Sequence, residues 1–143
     1  MKLENFTNLP NDWVRSIIRS VKPACVKNFD VMLKNGKKAR GSAYYEGSGF
    51  HSKENPDKPF IVICLGKPKR QTASFQIEGR NYSIKLGSKQ EIFVFVLAHE
   101  LRHLWQKKVK KGHRVWGARG RYSEVDADAF ATQALRTFRR GEI

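Results

Sequence analysis

Residues 88–112, SKQEIFVFVLAHELRHLWQKKVKKG, decide how this chain is read. The stretch opens with S-x-x-E, Ser88 to Glu91, a capping box in which the serine oxygen and the glutamate each satisfy an orphan backbone N–H at a helix start. Gly112 is a fitting terminator, so residues 92–111 are expected to be helical despite their β-branched content. The apolar run carries His99, Glu100 and His103 in its middle. Three ionisable groups among Phe, Val and Leu are costly unless something compensates them.

On a helix, His99 and His103 stand at i and i+4, so their imidazoles can converge on one cation. His-Glu-x-x-His has that geometry, and the glutamate beside the first histidine is placed to take a proton from metal-bound water. Zn²⁺ suits such nitrogen ligands and leaves one coordination position open. The expected cofactor is therefore one zinc ion per chain, held by His99 and His103, with Glu100 as catalytic base.

Such a site needs a third protein ligand, commonly a carboxylate. Residues 123–131, SEVDADAFA, supply candidates behind a second S-x-x-D box that is expected to open the last helix. Glu124 and Asp128 fall at i and i+4 there, so one can bind metal while the other holds a histidine by its second nitrogen. Glu124 is the preferred ligand and Asp128 the supporting acid; Asp126 points roughly to the opposite side. His113, ten residues after His103, is the competing third ligand. A three-histidine site would resemble SprT-like DNA–protein-crosslink proteases, which suit a basic surface.

FVLAHELRH followed by EVDADAFA resembles the ImmA/IrrE family of small intracellular zinc metallopeptidases, and more broadly the gluzincins. The resemblance covers roughly residues 80–135. Arg102 departs from it, standing where the family usually has glycine, and no helix-turn-helix module is visible. The resemblance implies a zincin-like fold whose edge strand, just before the active-site helix at residues 82–86, binds a protein or peptide substrate. It also implies metal-assisted amide hydrolysis, in which Glu100 passes the proton of water to the leaving amine. His113, Arg119, Tyr122 and Tyr82 are all chemically able to stabilise the oxyanion, and the sequence does not choose among them.

Charge adds a second theme. The 143 residues hold 28 Lys plus Arg against 13 Asp plus Glu, formally +15, which attracts polyanions. Lys107, Lys108, Lys110, Lys111, Arg114, Arg119 and Arg121 crowd the link between the two metal-binding segments with no acid among them. This cluster can select an acidic protein or hold nucleic acid by phosphate contacts. The competing functional reading is thus a basic nucleic-acid-associated protein whose metal site is structural or vestigial. A Glu between two intact histidines favours the enzyme, because a purely structural site has no use for a base.

The remaining text bounds the fold. Two cysteines, Cys25 and Cys64, without CxxC spacing indicate neither a zinc ribbon nor a disulfide framework. The N-terminus lacks an apolar signal region, and the longest purely apolar run, residues 92–98, is too short to span a bilayer. A cytoplasmic protein without membrane contact is expected. Residues 10–21 read as a helix with capping oxygens from Asn11 and Asp12, ended by Pro23. Residues 31–50 carry turn residues around short β-prone pieces, and 51–59 a polar loop. Residues 60–66, FIVICLG, read as a buried strand, and the alternation of 75–77 and 82–86 across EGRN as a hairpin. The last helix ends at Gly141. The expected architecture is α+β in one domain, with residues 1–59 giving a helix and β/loop region and 60–143 the sheet and both metal-binding helices.

Overall fold

The structure is a computed structural model that describes residues 1–44, 58–67, 71–77, 80–110 and 121–143. It is a small α+β fold with the order β1 (Leu3–Asn5), α1 (Asn11–Val21), β2 (Asp30–Asn35), β3 (Arg40–Tyr44), β4 (Phe60–Leu65), β5 (Gln71–Ile77), β6 (Arg80–Leu86), α2 (Lys89–Val109) and α3 (Arg121–Arg139). The apolar run at 60–65 is the strand around which the rest assembles. β4 pairs in parallel with β2 on one side and antiparallel with β3 on the other, and β1 completes the order β1-β2-β4-β3. Ile61 and Ile63 have no exposed surface, which is why this strand reads as nearly continuous hydrophobic text. β1 carried no sequence signal: three residues, Leu-Glu-Asn, are too few to show a period.

The hairpin forms as expected, but β5 and β6 make a two-stranded sheet of their own. Residues 82–86 thus lie in the two-stranded sheet, while β3 is the terminal strand of the four-stranded sheet and passes against Val96 and Glu100 of α2. The polar loop expected at 51–59 falls outside the described residues except for Lys58 and Pro59.

Helix α1 covers the expected span, with Val14, Ile17, Ile18 and Val21 buried. Its start is different from expectation. Pro10 takes the N-cap position without a side-chain cap, and the Asn11 amide oxygen instead accepts from Asn5 Nδ2 at 2.8 Å. Trp13 carries the α1 face onto α2, its ring 5.7 Å from that of Phe93 and 6.2 Å from Phe138 of α3.

Helix α2 is buried on all sides from Ile92 to Ala98, so one-sided amphipathicity never appears in this stretch. Ser88 caps it, accepting from the Glu91 N–H at 3.1 Å. The reciprocal half of the box is replaced: Glu91 takes the Arg139 guanidinium, with Nε at 2.9 Å, and so joins the start of α2 to the end of α3. Helix α3 already runs from Arg121, which places Ser123 inside the first turn rather than at its cap. The Ser123 hydroxyl is buried and finds no partner among the described residues. At the other end Gly141 adopts φ +74°, and the N–H groups of Gly141 and Glu142 close a Schellman motif onto Phe138 and Thr137. No helix among the described residues is long and apolar enough to cross a membrane.

Candidate metal centre

His99 and His103 sit one turn apart on α2, and α3 packs antiparallel to them with Glu124 in its first turn. The Nε2 atoms of the two histidines are 3.0 Å apart. Glu124 closes the triangle, Oε2 lying 3.3 Å from His99 Nε2 and Oε1 3.1 Å from His103 Nε2. A tetrahedral zinc site with bonds of about 2.0–2.1 Å sets its ligand atoms about 3.3 Å apart, close to these separations.

The hydrogen bonds behind the rings determine what the triangle contains. His99 Nδ1 is 2.9 Å from Asp128 Oδ1, and an ionised carboxylate only accepts, so the proton is on Nδ1. His103 Nδ1 is 2.9 Å from Gln106 Oε1. The Gln106 amide orientation is fixed because its Nε2 donates to the Ser123 carbonyl at 2.7 Å and to Asp126 Oδ2 at 2.9 Å. Both neutral imidazoles therefore aim an Nε2 lone pair at the other, with a carboxylate as third neighbour. Three acceptors with no donor among them repel, and a proton or a metal cation relieves the repulsion. These three residues form a group able to hold a metal ion.

The protonation pattern agrees with that geometry. Burial pulls His99 down, but the Asp128 hydrogen bond and the charges of Glu100, Asp128 and Glu124 outweigh it and leave its pKa raised. Burial and the neighbouring His99 charge hold His103 below its ordinary value. His99 is thus the more readily protonated of the two imidazoles. Glu100 is 6% exposed, and burial pushes its carboxyl up to about 7 against the opposing pull of His99. A group poised there accepts and returns a proton near neutral pH.

Two further features adjoin this cluster. The first is a support chain: Arg102 holds Asp126 through Nε at 2.6 Å and Nη2 at 3.1 Å, Asp126 holds Gln106, and Gln106 holds His103. Burial would raise the Asp126 pKa, but the Arg102 and Gln106 hydrogen bonds prevail and lower it. The Arg102 guanidinium also lies 3.6 Å over the Trp105 ring and 5.2 Å from that of Phe130. Arg102 is thereby the far end of the support of His103, and Asp126 reaches that imidazole through the Gln106 amide. The i, i+3 spacing of His103 and Gln106 is the signal that would have found the amide. The second is Gly41 of β3, where a Cβ would lie 2.7 Å from Glu100 Cγ, 2.9 Å from its Oε1 and 2.6 Å from Val96 Cγ1. The strand crosses Glu100 at a distance only glycine permits.

Other expected site residues are placed differently. Tyr122 is half-exposed on the first turn of α3, and Tyr82 is exposed on β6. Lys107, Lys108 and Lys110 lie at the C-terminal end of α2, where Lys108 Nζ donates to the Cys25 carbonyl at 2.9 Å. His113, Lys111, Arg114 and Arg119 fall outside the described residues, and Arg121 is described in its backbone alone. Comparisons of the chain with protein-family models, curated proteins and solved structures give no match.

Proposed function

We propose that this chain is a zinc-dependent metallopeptidase of zincin-like design, with His99, His103 and Glu124 as ligands and Glu100 as general base. The observation that carries the proposal is the convergence of three acceptor groups beside a carboxyl poised near neutrality. A bound zinc ion would supply the Lewis acid that polarises the scissile carbonyl and acidifies water. The chain does the rest. Asp128 and Gln106 hold both imidazoles with Nε2 forward, so the ligand atoms are aligned before metal arrives. Glu100 takes the proton of the attacking water and delivers it to the departing amine, its burial keeping it neither too acidic nor permanently protonated.

β3 is the terminal strand of the four-stranded sheet and passes beside Glu100. An extended peptide adding to that strand would bring its backbone to the base, with main-chain hydrogen bonds supplying affinity. Glu124 is half exposed, which leaves the ligand cluster open to solvent on its side. The test is metal analysis with proteolysis of an unfolded protein panel. Stoichiometric zinc in the wild type and in Glu100→Gln, with cleavage only in the wild type, is expected. Zinc without cleavage of any panel member would leave a metal-binding protein and remove the peptidase.

A further inference from the structure

A cavity of about 320 Å³ that includes none of the metal-site residues opens beside α1. Its charged lining is Arg15, Arg19, Lys22 and Lys27, with no carboxylate among the lining residues. Ile18 and Phe29 are buried side chains at its base, so the floor is apolar and the rim cationic. Arg15, Arg19 and Lys22 recur at i, i+4 and i+7 of α1, a row about 10 Å long on one helix face. Asn28, at φ 55° in the left-handed region, turns the chain at the far end of the row beside Lys27.

Contacts of Asp30 and of Lys108 shape the charge of this surface. Asp30, next in sequence to Phe29, is buried and already meets the Lys2 N–H at 2.8 Å and Lys58 Nζ at 2.9 Å. It does not neutralise the row. Lys108 reaches the Cys25 carbonyl at 2.9 Å, which brings the C-terminal end of α2 against the segment between Lys22 and Lys27. A cation of the helix that carries His99 and His103 therefore lies beside the segment that joins Lys22 to Lys27.

We propose that this cleft and its continuation at Lys108 bind the phosphodiester backbone of a nucleic-acid strand. A linear row of cations over an apolar floor matches a line of evenly spaced monoanions better than one compact anion. Arginine forks bind phosphate oxygens in pairs, and the formal charge of +15 raises the local concentration of any polyanion. Lining residues of the cleft include no exposed aromatic ring, so recognition is of the backbone and independent of base identity. The proposal is independent of the metal reading.

The test is fluorescence polarisation of a labelled mixed-sequence single-stranded oligonucleotide of about 20 nucleotides, long enough to exceed an ordinary single-strand site. Wild-type full chain is compared with Arg19→Glu/Lys22→Glu and with Lys38→Glu/Lys85→Glu, which makes the same charge change on exposed residues outside the cleft. Expected is a loss of about tenfold or more for the cleft variant, with the slope of log K against log salt falling by about 2, and a loss under about threefold for the other. The neutral Arg19→Gln/Lys22→Gln, changed only at partly exposed positions, guards against a folding artefact: wild-type melting with weakened binding is expected. Equal losses in both charge-reversed variants would overturn the proposal, as would no binding at low salt. Polyglutamate bound as tightly, or adenosine monophosphate competing as well per phosphate, would also overturn it.

Discussion

Gln106 Oε1 receives the Nδ1–H of His103 at 2.9 Å, while the same amide's nitrogen is tied to Ser123 and Asp126 across the helix interface. His103 on one helix is thus oriented, through Gln106, by groups on the other. Gln106→Leu is expected to lower zinc affinity about 10–100-fold, the range for loss of such a partner. Asp128→Ala should cost a similar factor through His99. Competition with a chromophoric chelator measures both, and circular dichroism checks that α2 persists.

Glu124 and His113 are separated by a parallel titration. Glu124→Ala is expected to weaken zinc binding by more than about a hundredfold, beyond the loss for a supporting residue. His113→Ala should retain wild-type affinity. The reverse result would assign the third ligand to His113.

Glu100 makes the metal-free protein lose stability as pH rises from about 4.5 to about 7. Its folded-state pKa is raised from 4.5 to about 7, so the folded chain binds the extra proton between those values. The associated stability is present below about 4.5, falls as pH rises through about 7, and is absent at pH 8, a change on the order of 3 kcal/mol. Thermal melts of chelator-treated protein should show that decline, and Glu100→Gln should flatten it while abolishing cleavage.

Asp126 works in the opposite direction. Its carboxyl is held below its ordinary value, so the Arg102 clamp contributes above the unfolded value of 3.8 and is lost as pH falls through the lower folded one. Asp126→Asn is expected to shallow the acid limb of the stability curve. It should also loosen zinc binding, because the Gln106 amide loses an acceptor.

Gly41→Ala puts a methyl group within 2.9 Å of the Glu100 carboxylate. Either β3 or the base must shift, at a cost of about 1–3 kcal/mol for overpacking. Cleavage should fall with zinc content unchanged, a split that separates displacement of the base from loss of the metal.

Local chemistry made much of this legible. The Ser88 cap, the stops at Pro23 and Gly141, the apolar strand at 60–65 and the His-Glu-x-x-His spacing each lie within a few residues, where periodicity and capping operate. The stop expected at Gly112 lies outside the described residues. The pairing of Glu124 with Asp128 was readable as a spacing on one face. What escaped needed partners distant in sequence. β3 reaches Glu100 through its register on β4, and nothing near Gly41 indicates that a buried carboxylate lies against it. Glu91 was read as the second half of its own cap, but a better partner, Arg139, arrives from 48 residues away. Ser123 is not a cap because the helix begins two residues earlier.

The Arg139–Glu91 clamp and the Arg102–Asp126 clamp fasten α2 to α3 at opposite ends of their antiparallel contact. Side chains of α2 and α3 themselves thus join the two helices. A chain severed between residues 110 and 121 should reassociate as two fragments, one bearing both histidines and the other Glu124. Recovery of zinc affinity on mixing them would make the metal itself the reporter of the interface.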